Sequence, residues 1–120
     1  MPSILIVDDE LLIRWAIAET LAADGFRVLE AGSAREALQM LENGGEVGVV
    51  VLDLKLPDSS DLGLLRTMRQ RVPPLRVIVM TAYATAEMRE EAVRAGAILA
   101  IDKPFDMHFM AERIREAIAA

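Results

Sequence analysis

The sequence predicts an α/β fold in which a five-stranded parallel sheet lies between two layers of helices. Five short apolar runs, rich in β-branched residues, alternate with segments whose apolar residues recur at helical spacing. The runs lack polar alternation, which is typical of strands buried on both faces. Right-handed crossovers between such strands give a doubly wound, three-layer (βα)5 sandwich. We expect residues 1–120 to form one domain, because no linker or repeat interrupts the order.

The predicted strands are residues 3–7, 26–30, 49–52, 76–80 and 97–101. Pro57 limits the third strand, because proline lacks the N–H that a sheet ladder requires. Ser33 and Glu36 form a capping-box pattern at the start of the second helix, and the fourth helix, about residues 85–95, is unusually polar. The residues predicted to face inward from the five helices are Ile13, Ala16, Ile17 and Leu21; Ala34, Ala37, Leu38 and Leu41; Leu64, Leu65 and Met68; Met88, Ala92 and Val93; and Met107, Met110, Ala111, Ile114 and Ile118.

The composition excludes several classes of function. A formal net charge of -6 argues against direct binding of nucleic acid, and no apolar run is long enough for a membrane span. The absence of cysteine excludes thiol chemistry and suits a reducing cytoplasm. His108 is the only histidine, so no histidine cluster exists, and we expect it at the surface.

Five side chains that could carry chemistry follow four of the five predicted strands: Asp8 and Asp9 follow the first, and Asp53, Thr81 and Lys103 follow the third, fourth and fifth. The carboxyl ends of parallel strands lie at one edge of a sheet, which is where ligands bind in open α/β folds. Taken singly, an Asp-Asp pair could cap a helix, a lone aspartate could serve a turn, and a threonine or lysine could be structural or solvated. Their joint position at several strand ends favours a functional site.

The acidic residues of this group predict a magnesium site. Carboxylates about 4 Å apart repel by about 4 kcal/mol per pair at an effective dielectric near 20, and a hard dication removes that repulsion. With magnesium present, Asp53 becomes a nucleophile toward a phosphoryl group. Lys103 would then neutralise one phosphoryl oxygen, while the Thr81 hydroxyl and the Ala82 backbone N–H would donate to the others.

The same residues resemble the receiver domains of bacterial two-component response regulators, which have a flavodoxin-like fold. The matching segments are Ile4-Leu5-Ile6-Val7-Asp8-Asp9-Glu10, Val51-Leu52-Asp53-Leu54-Lys55-Leu56-Pro57, Met80-Thr81-Ala82 and Asp102-Lys103-Pro104-Phe105. Further details, Ile13-Arg14-Trp15 and the segment from Gly96-Ala97 to Asp106, are most similar to receivers of nitrogen-regulation-type, sigma-54-dependent activators.

The resemblance implies that Asp53 accepts phosphate from the phosphohistidine of a sensor kinase. It also implies that Asp8, Asp9, Asp53 and the Lys55 backbone carbonyl hold magnesium, and that the Lys103–Pro104 peptide is cis. Phosphorylation would reposition the fourth helix and change the surface of that helix, the fifth strand and the fifth helix. That surface would control either an output domain of the same protein or a separate downstream protein. The resemblance also implies that two phosphorylated copies can form a homodimer through it.

Two positions depart from the family pattern. Ala100 stands where an aromatic switch residue is usual, and Tyr83 is a candidate to take over part of its role. The loop after Pro57 contains Ser60-Asp61-Leu62, where Asp-Gly is common.

Three functions therefore compete. We expect a phosphorylation-controlled switch and not a turnover enzyme; a stand-alone or phosphorelay receiver is the nearest alternative. A phosphohydrolase of the haloacid-dehalogenase type is disfavoured, because Lys55 occupies the position of its second aspartate. A flavin binder is disfavoured because the first strand is followed by acids and no glycine loop.

Overall fold

The computed structural model describes residues 2–43, 46–59, 61–82, 84–103 and 105–119. Within these residues it has five strands, β1 (Ser3–Val7), β2 (Val28–Ala31), β3 (Val47–Asp53), β4 (Arg76–Thr81) and β5 (Leu99–Asp102). They alternate with five helices, α1 (Leu11–Ala23), α2 (Ala34–Glu42), α3 (Gly63–Arg71), α4 (Ala86–Arg94) and α5 (Met107–Ala119). The sheet is parallel throughout, with strand order β2-β1-β3-β4-β5, so the predicted fold class is confirmed.

The three central strands, β1, β3 and β4, are buried on both faces because their side chains alternate between two cores. Val50 and Leu52 of β3 join a cluster formed with α2, α3 and α4, while Val49 and Val51 join a cluster formed with α1 and α5. This two-sided burial explains why the strands appear in the sequence as continuous apolar runs.

Several predicted boundaries are wrong by a few residues. Strand β2 begins at Val28, two residues after the predicted start, and β5 begins at Leu99 and extends through Asp102. Phe26 packs in the α1/α5 core without belonging to the strand. An apolar run in the sequence reports that the side chains are buried, but it does not report where backbone pairing with the next strand begins. The ends of a strand are therefore predicted less accurately than its middle.

The helix faces agree with the prediction except at the margins. Leu64, Leu65 and Met68 are the buried residues of α3, as predicted. Helix α4 buries only Ala92, and Val93 is 53% exposed, so its predicted inward position is wrong. In the other helices Ile13, Ala16, Leu38, Leu41, Met107 and Ile118 are partly buried. His108 is exposed, as predicted.

Some sequence predictions fall outside the described residues. These concern Ser60, Tyr83 and the peptide bond to Pro104. No helix in the described ranges is long and apolar enough to cross a membrane.

Helix α2 begins with two caps, one local and one from a distant loop. The Ser33 hydroxyl accepts a hydrogen bond from the Glu36 N–H at 3.1 Å, as the capping pattern predicts. The Asp58 carboxylate, in the loop that follows β3, accepts from the N–H groups of Ala34 and Arg35 at 2.8 and 3.0 Å. These two bonds lower the pKa of Asp58. They also fix the loop after Asp53 to the start of α2.

Replacing Asp58 with alanine should lower the thermal midpoint at neutral pH, because both N–H groups lose their acceptor. The lowered pKa means that the carboxylate stabilises the fold fully above the ordinary aspartate pKa. This stabilisation is lost as the pH falls through the pKa of the folded state. The gap between wild type and Asp58→Ala should therefore close in acid, as measured by thermal unfolding from pH 7 downward. Asp58→Asn, which keeps one acceptor oxygen, should lie between them; equal midpoints at pH 7 would contradict the role of this cap.

Candidate functional site

Side chains at or directly after the carboxyl ends of three strands lie on the same face of the sheet. Ile6 of β1, Val51 of β3 and Ile101 of β5 all point into the α1/α5 core. Because side chains on a strand alternate, the residues two positions later, Asp8, Asp53 and Lys103, continue on that face. Pairing of Val7 with Leu52 sets the ends of β1 and β3 side by side.

Lys103 joins the two buried carboxylates. Its Nζ lies 2.9 Å from Asp8 Oδ2 and 3.0 Å from Asp53 Oδ2, and 3.6 Å from Glu10 Oε1. The Asp8 side chain is fully buried, and those of Asp53 and Lys103 are 6% and 12% exposed. The Lys103 N–H donates to the Thr81 carbonyl at 2.9 Å, which fixes the backbone from which the lysine extends. Lys103 is therefore a largely buried partner of the acids and not a solvated surface lysine.

The remaining oxygens of both aspartates accept backbone hydrogen bonds. Asp53 Oδ1 accepts from the Lys55 N–H at 3.0 Å, and Asp8 Oδ1 accepts from the Glu10 N–H at 2.9 Å. Asp53 thus stabilises the turn after β3 with one carboxylate oxygen and bonds Lys103 in the site with the other. The alternative that the acidic pair simply caps α1 fails, because the residue before α1 is Glu10 and it makes no side-chain cap.

Burial raises the pKa of Asp53, and the negative charge of Asp8 raises it further. The Lys55 N–H and the Lys103 ammonium oppose this effect without cancelling it. Burial also acts to lower the pKa of Lys103, but its bonds to Asp8 and Asp53 outweigh that cost, so the Lys103 pKa is raised and its ammonium stays charged.

The acidic cluster differs in one member from the predicted one. Oxygens of Asp8, Glu10 and Asp53 lie within 4.8 Å of one another, which suits a small oxygen-ligated cation. Asp9, predicted beside Asp8 and Asp53, is exposed and borders the cleft above them. Sequence reasoning missed Glu10 as a cluster member, although its position directly after the acidic pair was a usable signal. Three carboxylates against one ammonium leave a formal charge of -2, which a divalent cation would cancel.

The cluster opens into a cleft of about 480 Å³ at the carboxyl ends of the strands. Its lining residues are Asp9, Glu10, Asp53, Lys55, Leu56, Pro57, Thr81, Ala82 and Lys103. All side chains predicted from the strand ends, apart from the fully buried Asp8, therefore border one cleft. Thr81 is 9% exposed, and Ala82 is exposed.

The segment after Thr81 is tied to the end of β5 through Asp102. The Ala84 N–H donates to Asp102 Oδ1 at 3.1 Å, and Arg89 Nη2 of α4 lies 2.5 Å from Asp102 Oδ2. Ala100 pairs with Val79 and is 4% exposed, so it belongs to the core beneath α4. The start of α4 is thus connected to the last residue of β5, directly before Lys103.

The fold and the site together define a doubly wound α/β domain with an acidic pocket at the carboxyl ends of its strands. Residues 4–115 match the family model described as the response regulator receiver domain. The chain belongs to this family and is a receiver domain of two-component response regulators. Domains of this family bind Mg²⁺ at an acidic pocket and interact with histidine kinases and output domains.

Individual relatives agree with this assignment. The chain is 33% identical over 115 residues to sporulation initiation phosphotransferase F of Bacillus subtilis, covering 96% of this chain and 89% of the relative. It is 30% identical over 116 residues to the DNA-binding transcriptional regulator NtrC of Proteus hauseri, covering 97% of this chain but only 24% of that relative. A CheY-like receiver domain from Methanospirillum hungatei has a TM-score of 0.92 at 31% identity, covering 99% of this chain and 94% of that structure.

Proposed function

We propose that Asp53 is the phosphoacceptor of this receiver and takes its phosphoryl group from the phosphohistidine of a sensor kinase. The observation that carries this proposal is the Asp53 carboxylate itself, which is buried, bridged to Lys103 at 3.0 Å and open to the cleft. One of its oxygens attacks phosphorus, and the bond from phosphorus to the donor nitrogen breaks as the new bond forms. The whole chain, residues 1–120, acts as one receiver unit.

The neighbouring residues divide the charge of the transferred group. Lys103 already touches Asp53 Oδ2, so a phosphoryl group on Asp53 would be within reach of its ammonium. Thr81 and the Ala82 N–H border the same cleft, where a hydroxyl and an amide donor would bond other phosphoryl oxygens. Phosphoryl transfer depends mainly on such positioning and charge neutralisation.

We further propose Mg²⁺ as the cofactor, held by Asp8, Asp9, Asp53 and the Lys55 backbone carbonyl, with Glu10 beside them. The cluster of Asp8, Glu10 and Asp53 fits a hard cation by its donor type and spacing. When bound, Mg²⁺ offsets the negative charge that gathers between carboxylate and phosphoryl oxygens. The chain's own residues hold it, orient Asp53 and keep Lys103 charged.

Adding Mg²⁺ should stabilise the protein against heat, because the cation binds the folded carboxylate cluster and not the unfolded chain. The expected gain is about 2.7 kcal/mol when free Mg²⁺ is a hundred times its dissociation constant. A thermal melt with and without magnesium chloride measures it, and Asp8→Asn should abolish most of the shift. An unchanged wild-type midpoint would exclude a specific magnesium site.

The readout is proposed to lie on α4, β5 and α5. Helix α4 buries only Ala92, so it has few contacts to lose when it moves. Val93, Ile98 and Phe109 are 53%, 44% and 42% exposed, and they add apolar surface to the same three elements or their borders. A phosphoryl group biases this region through local charge. The surface of α4, β5 and α5 would then bind an output domain or a downstream protein in the cytoplasm and so control transcription. Alternatively, it would bind a second copy of the chain.

A relay role is the second candidate. It is supported by the relative named as a phosphotransferase, to which the chain is 33% identical over 115 residues. In a relay, the phosphoryl group on Asp53 would pass to a histidine of another protein instead of activating an output.

Incubation with acetyl phosphate and Mg²⁺ tests the proposed function. The intact protein should gain the mass of one phosphoryl group, and borohydride reduction followed by peptide mass spectrometry should place the modification at position 53. Chelation of the metal should prevent labelling. Labelling at another residue would overturn the assignment of Asp53, and continuous phosphate release with rapid turnover would favour the phosphohydrolase.

A further inference from the structure

We propose that Arg14 is a positioning residue for the cation site, acting through the turn formed by Asp8, Asp9 and Glu10. This inference rests on the proposed magnesium function and names residues outside the cleft that set its affinity. Arg14 on α1 and Glu30 on β2 form an ion pair that we call the Arg14–Glu30 clamp. Gly32 lies beside the clamp and does not belong to it.

The clamp fixes the backbone of Asp8, whereas Lys103 and the Glu10 N–H bond its carboxylate. Arg14 Nη1 donates to the Asp8 carbonyl at 2.9 Å, and Arg14 Nε lies 3.0 Å from Glu30 Oε1. The Asp8 N–H donates to the Ala31 carbonyl at 3.1 Å. Both backbone polar groups of Asp8 are therefore tied to β2, one directly and one through the guanidinium.

The guanidinium suits this task because its planar fork serves two acceptors in a fixed relative geometry. Arg14 also begins the helical ladder of α1, since its N–H donates to the Glu10 carbonyl at 3.0 Å. The Arg14 side chain is only 18% exposed and reaches back to the Asp8 carbonyl, in the turn that precedes α1. A lysine has no such fork and could not replace both bonds in the same geometry.

Glu30 keeps the clamp from opposing the cation. An unpaired arginine near the acidic turn would repel Mg²⁺, whereas the Glu30 carboxylate neutralises it at 3.0 Å. The clamp therefore supplies rigidity to the acidic turn without adding net charge to it.

Gly32 leaves the space that the guanidinium occupies. A Cβ at position 32 would lie 2.9 Å from Arg14 Nη1, which is closer than such atoms pack. The nearest atom is the end of a flexible side chain, so the backbone just after β2 can accept alanine while the guanidinium is displaced. Gly32→Ala consequently perturbs the clamp without altering Arg14, Glu30 or any acidic residue.

Calorimetric titration with magnesium chloride tests the inference on the full chain. Arg14→Lys and Gly32→Ala should each weaken Mg²⁺ affinity about tenfold, the range seen for residues that orient metal ligands from outside the coordination shell. Their thermal midpoints without metal should stay close to wild type, whereas a purely structural role would lower the midpoints and leave the affinity unchanged. Arg27→Lys, an exposed arginine next to β2, serves as the matched control and should bind like wild type.

The outcomes separate the clamp from the proposed function. Wild-type Mg²⁺ affinity in both Arg14→Lys and Gly32→Ala would overturn the clamp while leaving the magnesium site intact. Absence of Mg²⁺ binding in every protein, wild type included, would overturn the magnesium function and the clamp with it.

Discussion

Asp53→Asn should abolish phosphorylation by acetyl phosphate, because the amide cannot attack phosphorus as a carboxylate does. The effect should be complete within detection, since Asp53 is a buried carboxylate that borders the cleft and hydrogen-bonds Lys103 at 3.0 Å, whereas Glu10, which also borders the cleft, is exposed and lies 3.6 Å from Lys103. Intact-protein mass spectrometry after incubation with Mg²⁺ measures it. Asp61→Asn is the matched control, because Asp61 is an exposed aspartate between β3 and α3 that lies outside the cleft lining. Full phosphorylation of the Asp53→Asn variant would show that Asp53 is not the phosphoacceptor.

The same variant should be more stable than wild type when Mg²⁺ is absent. Burial raises the pKa of Asp53, so at neutral pH the folded protein bears the cost of an ionised carboxylate that solvent would otherwise hydrate. Asparagine removes this cost and still accepts the Lys55 N–H. The advantage should vanish as the pH falls below the ordinary aspartate pKa, where the wild-type carboxyl is protonated in both states. Thermal melts across this pH range test the sign.

Lys103→Met should destabilise the metal-free protein by about 3 kcal/mol, because it leaves buried carboxylates without their counter-charge. Asp8 is fully buried and loses its 2.9 Å partner, and Asp53 loses its 3.0 Å partner. Mg²⁺ should restore much of the loss, since a dication satisfies the same oxygens. The phosphorylation rate should nevertheless fall about a hundredfold, as expected when one preorganised charge donor is removed from the transferred group.

Lys55→Met provides the control for Lys103→Met, because the chain has only these two lysines. Lys55 is exposed, and the substitution leaves its backbone N–H bond to Asp53 in place. Its stability should stay within about 0.5 kcal/mol of wild type. Equal stability of Lys103→Met and Lys55→Met would show that the ammonium of Lys103 does not hold the acidic cluster together.

The sheet could be predicted because burial on both faces leaves an unambiguous mark on the sequence. The run from Val49 to Leu52 is apolar at every position, and this pattern predicts both that the run is a strand and that it is buried on both faces of the sheet. The ends of strands left no such mark: Phe26 is apolar and packed, yet lies outside β2. Val93 was placed inward by helical spacing, but α4 is too polar for spacing to define its buried face.

The strand ends also predicted which side chains meet, because parallel strands share a direction. Strand topology alone could not predict which carboxylates come closest. That depends on the turn after β1, where the Glu10 N–H bonds Asp8 and the Glu10 carboxylate lies 3.6 Å from Lys103. The Asp58 cap and the Arg14–Glu30 clamp were equally invisible, since both join residues far apart in sequence through side-chain geometry.

The alternation of side chains along the strands has a consequence for how such domains diversify. Deleting one residue from β3 would turn the Asp53 carboxylate toward the opposite helical layer and end the proposed chemistry. Substitutions on the outer flanks of the helices leave that orientation untouched, so contacts with kinases and outputs are free to vary. In the proposed mechanism the reaction is confined to one edge of the sheet and recognition lies largely on the outer surfaces of the helices, so one reactive centre can be joined to many different proteins. Relatives that match this chain over 89% of one sequence and 24% of another are consistent with such portability.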